Sequence, residues 1–288
     1  MSALIQTLVD GVLIGGVYGV IAVGLSLVFG VLKIVNFAQA EFLMIGMYAG
    51  WFAWAHLGLD PIVGAFLALL IGFALGALCQ RLFVQHILNA PAVAQIFLTV
   101  GLLTVLENGA LLLFGSDFRT VRTPYQTIAL ELGPIFLSVP YLVAFVAAVA
   151  MSVLLFLLLN RTWLGRAIRA TSQDRDAACL FGIDTRLIYT IAFGLGTGLT
   201  AFGGGIILSY AAVSPTAGAQ FVVLMFTVVV LGGLGSVMGA LVGGVIVGVI
   251  QSVSTLFMPI QLQNLVLFIV FITALAFWPQ GLLGRAAR

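Results

Sequence analysis

The sequence predicts an all-α polytopic membrane protein of about eight or nine transmembrane helices with an inverted internal repeat. Three observations predict it. Of the 288 residues 62% are hydrophobic and 7% charged, too few charges to keep a soluble domain of this length dispersed. Apolar runs of about 20 residues recur, long enough to cross a hydrocarbon core as helices. The runs are unbroken, without the weak ten-residue alternation of a membrane barrel.

Punctuation by Gly, Pro and charge divides the chain into nine apolar segments: 7–29, 38–57, 62–83, 92–114, 139–159, 187–210, 221–234, 235–258 and 262–278. The first follows MSALIQTLVDG, which has no Lys or Arg and no small-residue cleavage site, so it is expected to stay attached as a helix. The seventh is short. The run GGLGSVMGA (Gly232 to Ala240) that links it to the eighth reads as a tight turn or a re-entrant bend, and nine crossings is the reading adopted. Residues 1–288 are expected to form a single transmembrane domain, with a 160–186 loop within it.

Orientation follows from the basic residues, because short cytoplasmic loops hold the excess of Lys and Arg. RTWLGRAIRATSQDRDAACLFGIDTR carries Arg161, Arg166, Arg169, Arg175 and Arg186, against 11 basic residues in the chain. That loop is therefore placed inside. Counting crossings puts Lys33, Arg81 and the C-terminal Arg285 and Arg288 on the same side and the N-terminus outside. Arg119 and Arg122 fall in an external segment, 115–138, beside Asp117 and Glu131. Cys79 and Cys179 lie near inside segments, where thiols stay reduced, so neither a disulfide nor a metal is expected. Two histidines, His56 and His86, cannot make a His-rich metal site.

An offset of 179 positions lays Gly15, Gly19 and Gly24 on Gly194, Gly198 and Gly203, AQAEF (38–42) on AGAQF (217–221), and Val63-Gly64 on Val242-Gly243. Gly and Ala matches are cheap in a chain with 34 glycines, yet one offset serves three successive segments. Those segments run in opposite directions, which makes an inverted repeat of the kind transporters use. Glu41 and Gln220 become equivalent positions at the starts of two helices, where a side-chain oxygen meets unpaired N–H groups. Simple capping explains Glu41 as well as solute contact does, although an ionisable residue within a membrane is a functional candidate. Asn36, Gln39 and Glu41 should face protein or water. Together with Gln220 and the turn residues Gly232, Gly233, Gly235 and Ser236, they are the candidate path or hinge residues. Gly11, Gly15 and Gly19, with similar four-residue steps elsewhere, argue for close helix packing.

Absent motifs narrow the function. The sole lysine follows Leu32, so there is no GxxxxGK[ST] loop and no nucleotide site in this chain. No nucleophile and base stand in a recognisable pattern, which argues against an enzyme. No basic stretch is dense enough for nucleic acid. The inside loop divides into two amphipathic pieces. TWLGRAIRA sets Leu164 and Ile168 apart from Arg166 and Arg169, and DRDAACLFGI opens on acids and closes on Gly182. Such a surface helix is gripped by another protein, lies on membrane lipid, or is a plain connector.

Three stretches taken in order, NFAQAEFLMIGMYAGW, then TWLGRAIRATSQDRDAACLFGIDTRLIYTIAFGLGTGLTAFGGGI, then VVVLGGLGSVMGALVGGVIVGVI, resemble the permease family of branched-chain amino acid ABC importers (LivH type). The resemblance implies a subunit of the bacterial cytoplasmic (inner) membrane, C-terminus inside. It pairs with a second related permease, as a heterodimer or a homodimer. Two cytoplasmic ATPase subunits would bind the ATP, this chain having no cofactor, and an extracytoplasmic binding protein would deliver the solute. It implies a coupling helix for the ATPase within Arg166 to Gly182, with Arg166, Arg169, Asp174, Asp176, Ala177, Ala178 and Gly182 as its residues. Asp176 stands where Glu is usual in the fuller loop pattern. The implied mechanism is alternating access; branched-chain amino acids are its expected solutes, with short amides and urea carried by related systems. The rival is an ion-coupled secondary transporter of a small polar solute using Glu41, Glu107 and Asp10. A purely structural membrane subunit is a third, weaker option.

Overall fold

The computed structural model describes residues 2–132, 135–259, 262–278 and 280–284; the expected C-terminal cations Arg285 and Arg288 lie outside them. Each apolar segment carries a helix: α1 (Ser2–Leu32), α2 (Gln39–Leu57), α3 (Pro61–Cys79), α5 (Ala92–Phe114), α6 (Val139–Arg161), α9 (Thr185–Ile207), α10 (Ala217–Gly232), α11 (Val237–Ser254) and α12 (Gln263–Phe277). A π-helical turn, Gln80–Val84, joins α3 to the short α4 (Gln85–Ile87), and α7 (Trp163–Gln173) and α8 (Arg175–Leu180) occupy the long loop. Among the described residues six helices are long and apolar enough to span a bilayer. The chain is an all-α polytopic membrane protein. Among the described residues the one sheet is a hairpin of β1 (Ala129–Leu132) and β2 (Ile135–Ser138), antiparallel with Ala129 opposite Ser138, in the segment read from sequence as external.

Glycine seams hold the bundle together. Along α1 and α11, a Cβ on Gly15 would sit 2.7 Å from the Val245 Cα, and one on Gly248 2.4 Å from the Gly15 Cα, so the backbones meet with no room for side chains. α3 and α9 meet likewise: a Cβ on Gly72 would lie 2.4 Å from the Ala201 Cβ, and Thr197 donates to the Gly72 carbonyl at 3.0 Å. Without water to compete, these contacts rest on dispersion and interhelical hydrogen bonds.

The ends of the bundle sort as the charge pattern requires. Thr190 on α9 donates to Gln80 beside Arg81 (2.6 Å), Arg175 on α8 donates to Asn89 (3.3 Å), and Lys33 and α7 border one cavity. Lys33, Arg81 and the loop cations therefore share one end. At the other, Arg119 and Val213 exchange backbone hydrogen bonds at 2.9 Å, and the Arg119 guanidinium covers the Trp51 ring at 4.3 Å. There Tyr125 also donates to Asp60 (2.9 Å), the N-cap of α3; burial and this bond hold the Tyr125 hydroxyl well above its ordinary pKa.

Two helices start inside the bundle. Gln39, the first residue of α2, reaches Gly196 and Thr200, midway along α9. Residues 33–38 thus return into the interior as a broken segment, with Ile34, Asn36 and Ala38 buried. α10, at 16 residues or about 24 Å, is shorter than the hydrocarbon core, and its first turn packs against Glu41. Non-helical backbone at this depth survives only within protein, as here.

Candidate functional site

The polar run at the start of α2 folds into a buried network. Asn36 donates to the Gln39 Oε1 at 2.9 Å and accepts from the Ala38 amide at 3.2 Å. The Gln39 amide donates to the Gly196 carbonyl (3.1 Å) and the Thr200 hydroxyl (2.7 Å). Thr200 can in turn donate to the Ile21 carbonyl at 3.2 Å, tying α1, α2 and α9 together. Satisfied in this way, Asn36 and Gln39 escape the penalty of an orphaned buried amide.

Glu41 is different. It is fully buried, and neither carboxylate oxygen has a hydrogen-bond partner among the described residues. Capping, the simple sequence reading, is not realised, since the N-cap Ala38 and the first turn of α2 receive no side-chain bond. Its carboxylate lies against Gly218, where a Cβ would come within 2.5 Å of Oε1. Two helix beginnings, α2 and α10, thus meet around one unpaired carboxylate. Gln220, paired with Glu41 by the repeat, is exposed on α10; the residue that meets Glu41 is Gly218, which pattern alone had not selected. Asp10, a rival ion site, instead accepts from Gln6 at 3.1 and 3.2 Å, near the hairpin.

The glycine-rich link is a tight turn. Gly233 and Gly235 adopt φ of 107° and 83°, conformations reserved for glycine, and Ser236 caps α11 by accepting from the Gly239 amide at 3.0 Å. α10 and α11 cross where Gly232 faces Gly239, a Cβ on either lying 2.1 Å from the other's carbonyl oxygen. The Leu282 and Leu283 amides donate to the Leu231 and Gly232 carbonyls at 2.8 and 3.0 Å, so the turn is clamped from a third side. Gly235 and Ser236 border a cavity of about 730 Å³, which none of Asn36, Gln39 and Glu41 lines. The two groups of candidate path residues are therefore separate places in the fold.

The 160–186 loop is built on caps. Thr162 accepts from the Gly165 amide (3.1 Å), Asp174 from Asp176 and Ala177 (2.9 and 3.0 Å), and Asp184 from Arg186 and Leu187 (3.0 and 3.2 Å). Each cap satisfies helix donors that have no partner in the helix itself and is worth about 1 kcal/mol. α7 lies hard on the end of α6: a Cβ on Gly165 would meet the Leu159 carbonyl, and Arg169 donates to that carbonyl and to Asn160 at 3.0 Å. Asp174 and Arg169 thus hold the loop's own shape. Ala178 is buried, Arg166 and Asp176 are exposed, and Gly182 takes φ of 79° just past α8. Between them Leu180 and Phe181 stand 89% and 86% exposed. Sequence reading passed over this pair, because the run DAACLFGI looks like an ordinary apolar stretch closing a helix.

Comparison with known proteins identifies the family of the chain. The family model described as branched-chain amino acid transport system / permease component matches residues 7–275. A Pseudomonas aeruginosa protein, the high-affinity branched-chain amino acid transport system permease protein BraD, is 30% identical, covering 98% of this chain and 96% of its own. The Salmonella typhimurium LivH permease protein of the same description is 30% identical with the same coverage. The fructose import permease protein FrcC of Rhizobium meliloti is 39% identical over 36% of this chain and 31% of its own length. No solved structure matches.

Proposed function

The chain belongs to the family of branched-chain amino acid transport system permease components, and from that premise we propose that it is the membrane subunit of an ATP-driven importer of branched-chain or related amino acids. The observation that carries the reading is the exposed Leu180-Phe181 pair on a firmly capped loop. Water-exposed apolar side chains held by a rigid scaffold are suited to a protein partner, and burying each contributes about 1.5–3 kcal/mol. The partner fitted to them is a cytoplasmic ATPase subunit, one beneath this chain and one beneath a second, related permease; a binding protein outside supplies the solute. ATP hydrolysis belongs to those ATPases, and this chain is non-catalytic. The loop end lies in the cytoplasm of a bacterial cell, with the C-terminus on the same side.

Alternating access fits the packing. α1 lies along α11, and α9 along α3; under the 179-residue offset α1 corresponds to α9 and α3 to α11, so the two pairings exchange into each other and support an inverted repeat. The interior starts of α2 and α10 are the discontinuous helices around which such repeats place their solute. The solute class rests on the relatives, and the partial likeness to a fructose permease makes it the property to measure first.

The test is uptake of labelled leucine into vesicles holding the chain with its co-purified subunits. ATP-dependent uptake, lost when Leu180 and Phe181 become serine while the complex still folds, supports the reading. Uptake that ignores ATP and follows an ion gradient overturns it. One observation favours that second reading: the unpaired Glu41 carboxylate is what a proton or sodium carrier would require, and in that case Glu41→Gln abolishes coupling.

A further inference from the structure

We propose that the cavity between the end of α1, α7 and the α10–α11 turn binds the phosphate-bearing headgroup of an anionic phospholipid from the leaflet on the α7 side. It holds about 730 Å³, and none of its lining residues is acidic. Two cations border it, Lys33 and Arg169. Lys33 is exposed, and Arg169 uses only Nη1 to hold the end of α6, its other donors having no partner among the described residues. The first residues of α11 open into the same space, and the positive end of that helix adds to the two charges.

The remaining wall decides which phosphate. Phe156, Leu234, Met238 and Leu283 line the same cavity and are 42, 42, 49 and 50% exposed. Cations at the bundle end beside exposed apolar side chains match a molecule with an anionic head and an acyl tail, whereas a free phosphate ion has no use for the apolar side. Backbone geometry points the same way. Lys33 has φ of 59°, the one positive φ outside glycine among the described residues, and its amide closes the end of α1 on the Phe29 carbonyl at 2.9 Å. Glycine is the ordinary residue for that closing position; a lysine there bears a steric cost and puts a cation on the cavity wall. The inference stands whichever solute the chain carries.

Native mass spectrometry of the full chain with its accompanying subunits, taken from vesicles of phosphatidylcholine with or without phosphatidylglycerol, tests it. The wild-type chain should retain phosphatidylglycerol in preference to phosphatidylcholine. Lys33→Gly should lower that preference about fivefold and melt at the same temperature or higher, since glycine adopts this φ freely; a merely structural lysine would give no such split. Lys33→Arg should keep the preference, and Lys33→Gln repeats the loss if the glycine variant folds poorly. Phe156→Ser should also weaken lipid retention. Equal retention of the two lipids, or an unchanged preference in both Lys33→Gly and Lys33→Gln, overturns the site. Inorganic phosphate bound as tightly as phosphatidylglycerol, with Phe156→Ser silent, makes it a free-phosphate site and overturns the lipid assignment.

Discussion

At the start of α2, polar groups are sealed where lipid and protein would favour apolar ones; at the end of α8, Leu180 and Phe181 stand exposed on a capped loop beyond the spanning helices, uncovered by the rest of the chain. The first region places Asn36, Gln39 and Glu41 in the interior and leaves Glu41 without a partner. The second keeps its shape with side-chain caps and offers its apolar pair outward. Each breaks the burial rule in the opposite direction. What they teach is that a group left without its usual surroundings, a carboxylate without a hydrogen bond or an apolar pair without cover, is where the proposed function can be tested.

The largest expected effect breaks the outer region. Leu180→Ser with Phe181→Ser should reduce ATP-coupled uptake more than about 100-fold, the loss of roughly 3–6 kcal/mol of docking surface, while the melting temperature of the isolated chain stays unchanged. An unchanged uptake rate would remove this pair from the coupling surface. Next comes the inner region. Gln39→Leu withdraws three hydrogen bonds and leaves Thr200 and Asn36 short of a partner, so a loss of about 1–3 kcal/mol is expected, measured by thermal unfolding in detergent. Glu41→Gln sharpens the contrast, because it removes the ionisable group while keeping its shape; it should leave uptake dependent on ATP and the melting temperature in detergent unchanged or higher. The smallest effects return to the loop. Asp174→Ala should lower stability by about 1 kcal/mol and Gly182→Ala by a similar amount through the strained φ, both visible as faster local hydrogen exchange in α8.

Sequence made most of the fold legible, since long apolar runs, charge-bearing turns and cap residues are local signals. The polar stretch at 36–41 and the amphipathic pieces of the loop were visible for the same reason. Contacts across 150 or more positions were not. Gly218 is distinguished only by the Glu41 carboxylate it accommodates, and Thr200 by its bond to Gln39. Gln220 was selected by alignment of a repeat, but the two residues of helix between Gly218 and Gln220 turn it by about 200°, and the facing position belongs to Gly218. The hairpin at 129–138 escaped because strands of four residues leave too short an alternation to read. Leu180 and Phe181 escaped because exposure is a property of the finished surface.

The glycine seams impose a schedule on synthesis. Gly15 closes on Gly248, and at roughly 5–20 residues per second the roughly 230 residues between them take about 10–50 s to emerge. Throughout that interval the notched face of α1 stands open to lipid, and α3 waits in the same way for α9. Neither half can complete its own seam, so the nascent chain becomes a closed bundle only when its last third enters the membrane, and truncation before α11 should leave a product recognised by quality-control proteases.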